Sequence, residues 1–463
     1  MVKRLFTVSA ALSVAAAVLA QGGITDEMMS QIRQGWQGTP EELALRNAIS
    51  ANDINKLAVR QGVEAGYDFY FSDEVPSKGI TDQQSSGRCW LFSGMNVLRA
   101  KMIEKYNLGP FQFSQNYIFF YDQLEKANLF LQGMIDTAKK PLTDQTVEWL
   151  LKHPLSDGGT FTGVADIVSK YGLVPAEAMP ETQSSSNTSR MAQLISLKLK
   201  EFGLELRERI AQGAKEEEVE AEKTQMLGTV YRMLALNLGV PPTEFDFVRK
   251  DAAGNPVETE HHTPQSFLEK YGDVSLLQNY VMMMNDPSRD YYKIYEIDYD
   301  RHRYDGKNWT YVNLPADVIK EMAIASLRDS TMMYFSCDVA QQLNSKRGLL
   351  DVRNYDYESL MGVSFGMDKK ERIQTFSSGS SHAMTLVGVD LDKEGKPVKW
   401  LLENSWGASS GWQGHLIMTD EWFDEYMFRL VVETKYVPEK ILQLFEEKPV
   451  RLPAWDPMFA EEE

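Results

Sequence analysis

The run Gln83–Met95, QQSSGRCWLFSGM, constrains this chain more than any other stretch. It holds Cys89, one of only two cysteines in 463 residues. After Cys89 the apolar residues Leu91, Met95, Leu98 and Met102 recur at helical spacing, so a helix is predicted to begin here. Ser85, Ser86 and Gly87 read as loop and N-cap residues. The sulfur then sits at a helix N-terminus, where the dipole and backbone N–H groups favour an anion and lower a thiol's pKa. Gln83, in the loop leading to that helix, offers a side-chain amide as donor to a developing oxyanion. The alternative is a buried structural cysteine. The catalytic reading needs a base, and a group to orient that base.

Composition narrows the classes. The net charge of −18 opposes binding to nucleic-acid backbones or anionic lipid. Lys3 and Arg4, followed by the uncharged stretch Leu5–Leu19 and by Val18-Leu19-Ala20, read as a secretory signal peptide over residues 1–20, cleaved before Gln21. An exported, periplasmic or secreted protein with no stable membrane insertion after cleavage is the expectation, since no other run is long and apolar enough to span a bilayer. Export favours disulfides, yet a Cys89–Cys337 bridge would consume the candidate nucleophile. Both are therefore read as thiols, Cys337 as a buried core one beside Tyr334 and Phe335.

In chain order, 21–75 reads as an N-terminal arm, with a helical pattern through Glu41–Val59 and an extended segment at Tyr67–Val75. Residues 76–185 form a helical half with Asp157-Gly158-Gly159 in a loop, where absent side chains let another backbone approach. Residues 186–285 are predicted to be an inserted helical region, with long patterns over Arg190–Ile210 and Lys215–Leu238 and further helix through His261-His262 to Tyr271. From about Asp298 the pattern turns to strands, so 286–447 is a β half, followed by a C-terminal arm at 448–463. Three runs, His382–Val389, Val398–Glu403 and Gly411–Thr419, are predicted to form an antiparallel sheet.

The histidines supply the base. His153, His261, His262, His302 and His415 sit in no H-E-x-x-H pattern and beside no cysteine cluster, so neither metal nor cofactor is implied. His382 opens an apolar strand directly after the small-residue loop Ser377–Ser381. Asn404 ends the next strand in LLENSWG, near His382 if the two strands pair as a hairpin. An asparagine oxygen can hold one imidazole nitrogen and leave the other for a thiol, with Trp406 shielding the bond from water.

Cys, His and Asn in that order are the arrangement of papain-type proteases. The chain resembles the bleomycin hydrolase and aminopeptidase C group of papain-like cysteine peptidases. The resemblance lies in QQSSGRCWLF around Cys89, FSQNYIFFYD at 113–122, SDGG at 156–159, KYGLVP at 170–175, FSCDV at 335–339, SHAMTLVGV at 381–389, ENSWG at 403–407, MTDEWF at 418–423 and LPAWDPM at 452–458. It implies an α+β papain-like fold, with a helical half, an antiparallel β half, a helical insertion and a C-terminal arm. It implies Cys89 as nucleophile, His382 as base, Asn404 as orienter, Gln83 as oxyanion donor, and Asp157, Gly158, Gly159 and Trp406 as substrate contacts. It implies peptide substrates and a homohexameric ring, with the arm restricting cleavage to N-terminal residues. The chain departs at its end, where Phe459-Ala460-Glu461-Glu462-Glu463 replaces a short apolar finish and Glu463 offers charge to a substrate amine. Two other readings stay open: an endopeptidase with the tail displaced, and a non-catalytic oligomeric peptide-binding protein.

Overall fold

The computed structural model describes residues 22–459. Residues 1–20, read above as a signal peptide, and the tail residues 460–463, Glu463 among them, lie outside the described residues. The chain divides into two units, the segment up to Arg60 with Tyr355–Ser364, and Gln61–Asn354 with the rest.

In the first unit the helical pattern of Glu41–Val59 becomes two helices, Pro40–Ala51 and Ile54–Ala58. They break at Asn52 because Asp53 caps the second helix through the Lys56 backbone N–H at 3.0 Å. A further helix, Asp26–Arg33, precedes them. Val59 bridges to Tyr355, and Asp356 donates its backbone N–H to Ala58 O at 2.7 Å.

The second unit is built around the helix Cys89–Tyr106, which is apolar on nearly every side and buried along most of its length. It packs against the helix Phe161–Tyr171 and the strand His382–Leu391. The helix Gln115–Asp136 lies against the long pair Ser189–Ala211 and Glu216–Leu238. The sheet runs Val450–Leu452, Lys293–Ile297, Thr310–Asn313, Tyr280–Met284, Met427–Glu433, Met333–Cys337, His382–Leu391, Pro397–Glu403, His415–Thr419, Leu349–Leu350, Leu343–Asn344. Asp73–Glu74 adds to it beside His382–Leu391, the one strand within the extended segment read at Tyr67–Val75. The three strands read from sequence pair antiparallel, as expected. Parallel pairings occur towards the flanks, so the whole sheet is mixed.

Three expectations need correction. The stretch before His262 is a two-stranded hairpin, Phe245–Lys250 with Pro256–His262, rather than helix. Phe245 and Phe247 alternate with polar neighbours, and Gly254, at φ +85°, permits the turn. After Asp73–Glu74 the sheet resumes at Tyr280, not near Asp298, because the continuous apolar run Tyr280–Met284 is a buried inner strand. The Cys89 helix is not capped by Ser85, Ser86 or Gly87: its N-cap is Arg88, with no side-chain cap bond. Among the described residues no helix is long and apolar enough to cross a membrane, and no His/Cys/Asp/Glu group is arranged to hold a metal.

Candidate active site

Cys89 is the first residue of its helix and fully buried. Its Sγ accepts the backbone N–H of Ala383 at 3.4 Å, which fixes the start of the helix against the start of the His382 strand. Cys89 and Cys337 are both thiols, not bridged to each other. Cys337 is buried on the strand beside His382, with which it pairs in register.

The hairpin brings His382 and Asn404 together. Thr385 pairs with Glu403, so the residue after Glu403 reaches the open end of the His382 strand. His382 Nε2 lies 2.9 Å from Asn404 Oδ1. The Ser405 backbone N–H also donates to Oδ1, at 2.8 Å. A backbone N–H can only donate, so it fixes which way the Asn404 amide faces. The imidazole must then donate through Nε2, leaving Nδ1 as its basic nitrogen. The centroid of the Trp406 ring lies 4.8 Å from that of the imidazole, tilted by 33°.

Gln83 is buried and joined to both halves of the site. Its Oε1 accepts from Ser405 Oγ at 2.7 Å, and its backbone N–H donates to Ser405 O at 2.8 Å. Its Nε2 donates one proton to Ser86 O at 2.6 Å. An amide nitrogen carries two protons, so the second is the one a substrate oxygen can take.

The loop Asp157–Gly159 reaches the Cys89 turn from the other side. Asp157 Oδ2 accepts from the Gly87 N–H at 2.8 Å and from Thr188 Oγ1, and Asp157 O accepts from Trp90 Nε1 at 2.9 Å. The C-terminal arm, as far as Phe459, runs beside this loop. Arg429 donates to Met458 O at 2.8 Å, Met458 is buried, and the Phe459 ring lies 5.6 Å from Trp149. Phe459, Trp149, Ser156 and Asp157 line one cavity of about 620 Å³.

Two supports lie inside the quoted runs QQSSGRCWLF and ENSWG, where the sequence assigned them no role. Arg88, buried between the rings of Phe92 and Phe119, makes a two-pronged bond to Glu181 at 3.1 and 2.8 Å and reaches Ser86 Oγ at 3.0 Å. Glu403, buried beside Asn404, accepts from Asn96 of the Cys89 helix at 2.9 Å. Both are long-range pairings that spacing along the chain cannot reveal.

A thiol at a helix N-terminus, facing a sheet that carries an imidazole held by an asparagine, is the arrangement of a papain-like cysteine peptidase. Residues 23–459 match the Peptidase C1-like family, and the chain belongs to that family. It is 37% identical over 448 residues to bleomycin hydrolase of Rattus norvegicus, spanning 95% of this chain and 99% of the relative. It is 36% identical over 419 residues to aminopeptidase C of Lactobacillus delbrueckii subsp. lactis, spanning 89% and 93%. The crystal structure of PepW from Lactobacillus rhamnosis superposes with a TM-score of 0.89 at 35% identity, over 95% of this chain and all of that one.

Proposed function

We propose that the chain is a cysteine aminopeptidase that releases N-terminal residues from peptides through a thioester acyl-enzyme. The observation that carries this reading is the His382 Nε2–Asn404 Oδ1 contact of 2.9 Å beside a thiol at a helix N-terminus. The Cys89 thiolate attacks the carbonyl carbon of the first peptide bond, and the π electrons move to oxygen. Gln83 Nε2 and the Cys89 backbone N–H donate to that oxyanion. Collapse breaks the C–N bond, and protonated His382 gives its proton to the leaving amine. Water, deprotonated by His382, then attacks the thioester and frees the amino acid and the thiolate. Asp157, Gly158 and Gly159 hold substrate backbone, and Trp406 keeps water from the His382–Asn404 bond.

Aminopeptidase rather than endopeptidase action is supported by the arm, whose Phe459 shares a cavity with Asp157. The family resemblance implies that the arm blocks the cleft beyond the substrate's N-terminus, and Glu463 offers charge to the substrate's α-amine. Free and N-acetylated peptides decide the point. Cleavage of free peptides alone is expected, and equal cleavage of both identifies an endopeptidase. Truncation of Phe459–Glu463 shifts that ratio towards the acetylated peptide in this reading.

Assembly into a homohexameric ring and export through the signal segment belong to the same proposal, supported by the family resemblance and by Lys3, Arg4 and Leu5–Leu19. Light scattering reads a six-chain particle if the ring forms, and a monomer contradicts it. N-terminal sequencing of the secreted protein starts at Gln21 if the signal is cleaved as read.

A further inference from the structure

We infer that Lys126, paired with Asp122, which His302 holds in turn, is the positioning residue of the Asp157–Gly159 loop; the inference rests on that loop holding substrate backbone. Asp122 and Lys126 lie one turn apart on the helix Gln115–Asp136, both buried, with Lys126 Nζ 3.2 Å from Asp122 Oδ2. The ammonium also donates to Ser156 O at 3.1 Å and to Gly158 O. These are the carbonyls on either side of Asp157. Gln123 Nε2 adds a second donor to Ser156 O at 2.7 Å.

A planar trans peptide puts its C=O and N–H on opposite sides. The carbonyl of Gly158 shares a peptide plane with the N–H of Gly159, and that of Ser156 with the N–H of Asp157. Turning both carbonyls inward to Lys126 therefore turns both N–H groups away from the helix. The lysine thus sets which way the loop presents its backbone donors.

His302 completes the clamp. Its Nδ1 pairs with Asp122 Oδ1, and its ring leans on Trp90, the residue after Cys89, at 4.8 Å. It fits only because Gly159 and Gly163 lack side chains: a Cβ would lie 2.4 Å from the imidazole at Gly159 and 2.3 Å at Gly163. Removing a buried ion pair in favour of apolar packing is often neutral or stabilising. A charge kept here is better explained by the loop geometry it dictates than by stability.

The test is steady-state kinetics on an unblocked peptide together with alkylation by iodoacetamide. Lys126→Met is expected to lower kcat/KM about 10²-fold, the size of a small misplacement of a binding group, with the loss carried by KM. The rate at which iodoacetamide modifies Cys89, which needs the thiol and His382 but not the loop, is expected to stay within about twofold of wild type. Asp122→Asn, nearly isosteric, is expected to show the same split, and it decides the matter if Lys126→Met does not fold. An unchanged KM in the folded variant overturns the inference, as does alkylation falling in step with kcat/KM. Absence of Cys89-dependent hydrolysis in the wild type instead defeats the peptidase reading itself.

Discussion

At the residue scale the site depends on how a few polar groups are oriented. Asn404 receives both the Ser405 N–H and the His382 imidazole on one oxygen. Asn404→Ala removes the acceptor that fixes the tautomer. It is expected to lower kcat by about 10²-fold, the low end for general acid–base contributions, with the thermal midpoint little changed. A kcat within a factor of two of wild type by steady-state assay contradicts the role. The residues with chemistry of their own were legible from type and setting: a cysteine at a predicted helix start, a histidine opening a strand, an asparagine ending the next. Arg88, Glu181, Lys126 and His302 were not. Their meaning lies in partners tens or hundreds of positions away, and a buried Lys or Arg looks in sequence like any surface one.

At the element scale the site is a junction between one helix start and one hairpin end. Long amphipathic patterns located the helices Ser189–Ala211 and Glu216–Leu238 to within a residue or so, because burial of one face demands the period. The hairpin Phe245–Lys250 with Pro256–His262 was missed because its strands are largely exposed, with few apolar positions to betray alternation. Tyr280–Met284 was missed for the opposite reason, an unbroken apolar run that carries no period. The packing of Asp157–Gly159 over His302 gives a test at this scale. Gly159→Ala forces a methyl against His302 and Trp90, and is expected to destabilise by about 1–3 kcal/mol, as overpacked cores do. Calorimetry or denaturant melts check this, and an unchanged midpoint contradicts the packing.

At the scale of the whole molecule, charge buried between elements makes stability depend on pH. Lys369 lies inside the β half, donating to Asn285 Oδ1 at 2.6 Å, Met427 O at 2.6 Å and Asp424 O at 3.0 Å. Burial pushes its ammonium down to about 7 from 10.5. Between those values the unfolded chain binds the proton that the folded chain has released, so stability rises with pH across that window. The penalty is in full force below about pH 7. The stability difference between wild type and Lys369→Met is therefore expected to move in favour of wild type from pH 7 to 10. A flat difference in denaturant melts contradicts it. Control of one thiol by one imidazole for peptide hydrolysis can be read by labelling with a thiol-reactive epoxide. Intact mass, peptide mapping and residual activity are then read on the same sample. A single adduct on Cys89, none on Cys337, and hydrolysis lost in proportion to labelling are expected. Undiminished hydrolysis with Cys89 fully labelled, or no adduct on Cys89 at all, contradicts that control.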